Sequence, residues 1–170
     1  MGINGRSKGN KGERVAAAVL SDWTNKKFAR VPSSGGLQWK NSNAKGDIVC
    51  TEEGHFFPFC VEVKSYAELN FEHLLYLDKA EVLKFWAQCI RDANLAKKCP
   101  ILMMRYNGLP KKFFFIAIPA KIYHHHFSEH IKRPRAIHIL EHDLVLFTTN
   151  ELKDVPYKKI RKPIKTLYKV

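Results

Sequence analysis

Val61-Glu62-Val63-Lys64 alternates apolar and charged side chains, and this alternation constrains the chain more than any other stretch. Period-two alternation belongs to a strand with one face in a core. Asp47–Thr51 and Phe56–Lys64 read as two strands, with Glu53-Gly54-His55 as the turn signal between them. A type II′ turn centred on Gly54-His55 pairs 53 with 56 and, counting outward, 47 with 62. Paired residues share a face, with Cβ atoms about 5 Å apart, so Asp47 faces Glu62. Lys64 joins them about 7 Å along the strand, while Val61 and Val63 enter the core. A one-residue slip would put the two acids on opposite faces.

Two carboxylates set against each other repel, and a chain with no use for them rarely keeps them there. A divalent cation removes the conflict. Mg²⁺ takes hard oxygen ligands, commonly one or two carboxylates, and keeps waters and substrate phosphate for the rest. Lys64 adds a positive charge beside the pair, suited to base chemistry or to stabilising a charged transition state. The bland alternative is a surface Glu–Lys pair and an Asp at a strand start.

Charge narrows the partner. The chain carries 29 Lys and Arg against 16 Asp and Glu in 170 residues, a formal net charge of +13. Such an excess is the electrostatic footprint of a protein that meets phosphate backbones. The composition, 45 % hydrophobic, is that of one globular domain. No run of about 18 apolar residues is present to form a membrane span, and Met1–Glu13 has no apolar core of a secretion signal. Gly2 sits in a poor myristoylation context. Cys50, Cys60, Cys89 and Cys99 form no C-x-x-C pair and read as reduced thiols in a cytosolic protein.

Residues 1–12, with four glycines and three basic side chains, read as a flexible basic arm. Val15, Val19 and Trp23 open a helix from Glu13 to about Lys27. Phe28–Val31 is a short strand, Pro32–Gly36 breaks the chain, and Gln38–Lys45 is a polar loop. The longest helical pattern spans Asn70 to about Leu95. Ile101–Tyr106, an Asn107-Gly108 turn and Phe113–Ile118 form a second hairpin. The Phe113-Phe114-Phe115 run suits a buried strand better than a stacking platform. A helix follows from Pro119 to His130, then short strands at Ala136–Leu140 and Leu144–Thr148. Residues 153–170 hold seven basic side chains and one acid and read as a basic tail. His124-His125-His126 and His130 read as a solvated basic surface rather than a metal cluster. The order of elements gives an α/β domain with a mixed central sheet flanked by helices.

Lys45-Gly46-Asp47-Ile48 and Val61-Glu62-Val63-Lys64 together resemble the PD-(D/E)XK nuclease motif, with Gly46 in place of the Pro. Gly12-Glu13, Arg30-Val31-Pro32-Ser33-Ser34-Gly35-Gly36 and Phe85-Trp86-Ala87-Gln88 resemble, in the same order, features of archaeal and phage Holliday junction resolvases. Asp92-Ala93, Lys98 and Pro100-Ile101-Leu102 extend the resemblance, which spans residues 9–106 and stops after Tyr106. It implies a restriction-endonuclease-like fold with one nuclease domain over residues 13–152. It also implies that Asp47 and Glu62 ligate Mg²⁺ (Mn²⁺ substituting), with the Val63 carbonyl as a further ligand and Glu13 helping directly or through water. Lys64 would orient or activate the attacking water. Ser33 or Ser34, with Ser34 favoured, would contact the scissile phosphate. Gln88 would hold the water or a catalytic side chain, or else be a surface Gln on a helix flank.

The implied activity is Mg²⁺-dependent hydrolysis of phosphodiester bonds in branched DNA, such as a four-way junction, by a symmetric homodimer in the cytoplasm, the host's if the source is viral. The apolar Phe113–Ile118 run is a candidate dimer interface. Arg6, Lys8, Lys11, Arg30, Ser33, Lys40, Lys45, Lys158, Lys159 and Arg161 are candidate DNA contacts. The alternatives are a nicking, repair or restriction-like nuclease acting on duplex, and a basic DNA-binding protein without hydrolysis.

Overall fold

The computed structural model describes residues 5–31, 45–77 and 79–168. Its centre is a mixed sheet of seven strands: β1 (Phe28–Arg30), β2 (Ile48–Cys50), β3 (Phe59–Tyr66), β4 (Cys99–Tyr106), β5 (Phe115–Ile118), β6 (Ile137–Ile139) and β7 (Leu144–Thr148). They lie side by side in the order β1-β2-β3-β4-β5-β7-β6. The β3–β4 pair is parallel and the other neighbours are antiparallel. This is the α/β architecture expected from the element order.

The parallel pair needs a crossover, which α2 (Glu81–Ala96) supplies. The pattern starting at Asn70 predicts a longer helix, but residues 71–75 form a separate 3₁₀ turn, Phe71–Leu75. Length explains the break. Sixteen helical residues rise about 24 Å, which matches the roughly 26 Å of an eight-residue strand. A helix from 70 to 95 would rise about 39 Å and overshoot the strands it must cover.

Two cores sandwich the sheet. On one face Val61, Val63, Ile101, Met103, Ile116 and Phe147 pack with Ala16 and Leu20 of α1 (Gly5–Thr24). On the other, Leu102, Met104, Ala117 and Leu146 pack under Val82, Trp86 and Cys89 of α2. Alternation along β3 therefore places Glu62 and Lys64 on the α2 face. α1 begins at Gly5, so residues 5–12 are helical rather than a loose arm. Arg30 of β1 ties this added stretch down, donating to Asn10 Oδ1 at 2.7 Å and to Glu13 Oε2 at 2.8 Å. Gly12 lets the helix lie close on β3, since a Cβ there would stand 2.8 Å from Ser65 Cβ.

Two further expectations change. β5 is an inner strand between β4 and β7, with Phe114, Ile116, Ala117 and Ile118 fully buried, so these four residues of the Phe113–Ile118 run are closed to a partner, while Phe113 and Phe115 stay half-buried. The basic C-terminal segment is not a tail but contains a helix, α5 (Tyr157–Tyr168), whose Tyr157, Ile160 and Ile164 are buried in the α1-side core. Apolar residues spaced three and four apart give α5 one buried and one cationic face. The short helix Ala120–Ile122 (α3) continues through a π turn, Tyr123–Phe127, and a 3₁₀ turn, Ser128–His130, as the expected 119–130 helix. α4 (Thr149–Leu152) follows β7, capped by a Thr148–Glu151 capping box.

A docked helix makes a prediction that a loose tail does not. Ile164→Ala removes a fully buried side chain and is expected to lower unfolding free energy by about 2–4 kcal/mol, measured by urea denaturation. A loose tail would leave the midpoint unchanged.

Candidate active site

The register of the first hairpin sets the site. Ile48 pairs with Val61, and the Asp47 N–H donates to the Val61 carbonyl at 2.7 Å. That is the register in which 47 meets 62. The turn itself differs from expectation. His55 N–H returns to Glu52 O at 3.2 Å, so the turn runs over Glu52–His55 with Glu53-Gly54 at its centre. The strands separate before reaching it, and β3 starts at Phe59 rather than Phe56. Gly46 carries φ +90°, and a Cβ there would stand 2.6 Å from the Val61 carbonyl oxygen. A proline, whose φ is held near −65°, cannot take that conformation, which accounts for the glycine before Asp47.

Glu62 is 5 % exposed. Its Oε1 accepts Lys64 Nζ at 2.8 Å and Gln88 Nε2 at 2.9 Å. Lys64 Nζ also donates to Gln88 Oε1 at 3.0 Å, so the three side chains close a triangle. Gln88 is therefore no surface residue; α2 delivers it onto the β3 carboxylate. Asp47 Oδ2 accepts the Val63 N–H at 2.7 Å. Glu62 Oε2 and Asp47 Oδ1 take no hydrogen bond from the described residues. Each acid thus keeps one oxygen available, and carboxylate oxygens are the donors that a hard divalent cation prefers.

Burial, and then the charge of Glu62, push the Asp47 pKa up to about 7; the Val63 N–H opposes the rise and the Glu13 charge adds to it. Burial works against charged Lys64, but the Glu62 hydrogen bond and charge outweigh it and raise the lysine's pKa. The ammonium stays protonated at neutral pH. Phe85, one helical turn before Gln88, lies under it, with Lys64 Nζ 5.3 Å from the ring centroid. Phe85 belongs to the Phe85-Trp86-Ala87-Gln88 stretch that carries the resemblance, and its i−3 spacing from Gln88 puts it on the same helix face. Tyr66 stacks on the same ring at 5.1 Å.

Glu13 stands apart from this group. Its carboxylate is bound to Arg30, and among the described residues no three His, Cys, Asp or Glu side chains converge to hold a metal. Arg30, expected to face DNA, is engaged with Glu13 and Asn10. Lys11, Lys45, Lys158 and Lys159 are exposed, and Arg161 is half-buried against His55. Ser33, Ser34 and Lys40, and the side chains of Arg6 and Lys8, lie outside the described residues. His124 stacks on His138 at 5.0 Å. No helix among the described residues is long and apolar enough to cross a membrane.

The raised Asp47 pKa fixes the sign of a pH effect. Between pH 3.8 and about 7 the unfolded chain has released this proton while the folded chain keeps it. Stability therefore falls as pH rises through this window, and the loss is complete above 7. In the presence of a chelator, Asp47→Asn is expected to be more stable than wild type at pH 8 by about 2–4 kcal/mol, with the gap closing by pH 4. Equal denaturation midpoints at both pH values would contradict the burial of a charged pair. Gly46→Ala is expected to cost about 1–3 kcal/mol in the same assay, whereas Gly54→Ala, with nothing near its Cβ, carries backbone strain without that clash.

Residues 4–162 match the family described as phage putative PDDEXK endonuclease. Protein D14 of Escherichia phage T5 is 31 % identical over 107 residues, which are 62 % of this chain and 66 % of that protein. The match thus spans a little under two thirds of the relative's length. The family match covers nearly the whole chain, including every residue of the Asp47–Glu62–Lys64–Gln88 group, and the chain belongs to the phage PDDEXK endonuclease family.

Proposed function

We propose that this protein is a divalent-metal-dependent DNA endonuclease, with Mg²⁺ as its ion and branched DNA, such as a four-way junction, as its substrate. The observation that carries this reading is the closed triangle of Glu62, Lys64 and Gln88 beside a carboxylate whose pKa is pushed to about 7. Asp47 and Glu62 would hold the ion, with the Val63 carbonyl as a further ligand. Bound there, a divalent cation supplies positive charge to the phosphate oxygens as negative charge develops.

The chain's own side chains do the rest. Lys64 places a protonated ammonium where the attacking water and the charged transition state need a donor. Gln88 holds that ammonium with its carbonyl oxygen and Glu62 with its amide, so neither turns away when substrate arrives. Glu13 acts on Asp47 through its charge while Arg30 holds it in place. Ser34, or Ser33 beside it, would contact the scissile phosphate. Lys11, Lys45, Lys158 and Lys159 would meet the backbone, a contact set that reads shape rather than sequence. Cutting a four-way junction takes two symmetric nicks, which a twofold homodimer provides. Its interface would lie elsewhere than on the buried β5. The phage family fits action in the host cytoplasm.

In Mg²⁺, wild type is expected to nick a labelled four-way junction at paired symmetric positions faster than a linear duplex of the same arms. Asp47→Asn and Lys64→Ala are expected to lose about 10³-fold or more of that rate while keeping DNA affinity and circular dichroism. Equal cutting of both substrates would remove the junction preference and keep the nuclease. Tight binding without cutting by wild type would leave a DNA-binding protein.

A further inference from the structure

At the end of β2 remote from Asp47 the molecule has a second polar centre. A cleft of about 280 Å³ is lined by Thr24, Lys26, His55, Tyr157, Lys158, Arg161 and Lys162. Four of these are cations and none is an acid. Lys26 is balanced by Glu52 at 3.0 Å. Among the described residues no carboxylate stands within 4.0 Å of Lys158, Arg161 or Lys162. Like charges gathered in a concavity repel, and an anion relieves them.

The cleft is built rather than an incidental spread of lysines. Arg161 Nη1 lies 3.2 Å from His55 Nδ1, and His55 Nε2 lies 2.9 Å from the Tyr157 hydroxyl. A guanidinium can only donate, so Nδ1 accepts and the ring proton sits on Nε2, directed at Tyr157. Burial and the Arg161 and Lys26 charges hold the His55 pKa below its ordinary value, which fits that neutral form. Tyr157 is itself anchored in the core. The His55–Tyr157 pair thus fixes the Arg161 head, and a guanidinium so fixed is pre-organised for two-pronged contact with phosphate.

We propose that this cleft is a phosphate subsite, separate from the Asp47–Glu62 centre, which holds a backbone phosphate of the DNA bound for cleavage. The inference rests on the nuclease reading. Thr51 N–H bonds to the Lys27 carbonyl at 2.8 Å, which seats the cleft beside the far end of β2. From Asp47 to Thr51 the strand rises about 13 Å, roughly four steps of a DNA strand. The cleft opens on the α1 and α5 side and Glu62 on the α2 side, so a DNA strand that reaches both passes the sheet edge at β1.

The test is the salt dependence of binding to a labelled linear duplex, measured in the non-cutting Asp47→Asn background. Each phosphate contact contributes about 0.9 to the slope of log affinity against log salt. Arg161→Ala and, separately, Lys162→Ala are each expected to lower the slope by about one. Arg161→Lys is expected to restore only part of it, and Lys121→Ala, exposed and away from the cleft, to leave it unchanged. The His55 ring signals in the NMR spectrum are expected to shift on addition of duplex. Lys162 is exposed, so its variant reads out even if Arg161→Ala loosens α5. Unchanged slopes in both variants, or unmoved His55 signals at saturating duplex, would overturn the proposal. A His55 shift with inorganic phosphate but not with duplex would assign the cleft to the free anion and overturn the DNA role. Wild-type cleavage of a labelled four-way junction, the proposed substrate, is scored separately. Cutting with unchanged slopes removes the cleft alone, and lowered slopes without cutting remove the nuclease alone.

Discussion

Glu62 is buried with Asp47 beside it, and the repulsion between these carboxylates is the constraint around which the local structure is arranged. Burial raises the cost of a second negative charge, and the Asp47 pKa near 7 records it. Three devices keep the pair in place. Val61 and Val63, buried on the opposite face of β3, lock the strand in register. Gly46 allows the sharp approach to Val61 from which Asp47 emerges. Gln88 and Lys64 fix Glu62 from the side of α2. Stability given up at such a point is characteristic of a functional site.

The cations are placed in answer to this. Among the described residues the fold brings Lys64 to the acids, and Arg30 is taken by Glu13 and Asn10. On α5 the basic side chains stand over a buried Tyr157–Ile160–Ile164 stripe. Helix and core together turn a basic sequence into a surface with a fixed shape. Net charge alone would attract any polyanion; a docked helix decides where the anion sits.

Much of the site was legible because strand alternation has a short, rigid period. Glu62 and Lys64 follow from Val61 and Val63, and pairing with Asp47 follows from counting across the turn, even though the turn sits one residue earlier than expected. Counting from the turn actually formed would pair 47 with 60; the residues between His55 and the start of β3 at Phe59 take up the two-residue difference and restore the register in which Ile48 meets Val61. The break before α2 was hidden, because Phe71 and Leu74 continue the helical period while the constraint that ends it, the length of β3 and β4, lies elsewhere in the chain. Residues 5–12 read as loose because glycine lowers helix propensity, whereas Arg30, far along the sequence, holds them helical. The basic run after Lys153 concealed three buried side chains at helical spacing, since charge masked periodicity. His55 showed itself only as a turn residue, and its partners lie more than a hundred positions away.

The central claim is that Asp47 and Glu62 form one cation site. Calorimetric titration of Mn²⁺ into the full-length protein at pH 8, beside Glu62→Gln, tests it most directly. The account predicts saturable binding by wild type, accompanied by proton release as the pH is lowered toward 7, and loss of at least tenfold in affinity in the variant. Equal binding by both proteins, or none by wild type, would contradict it.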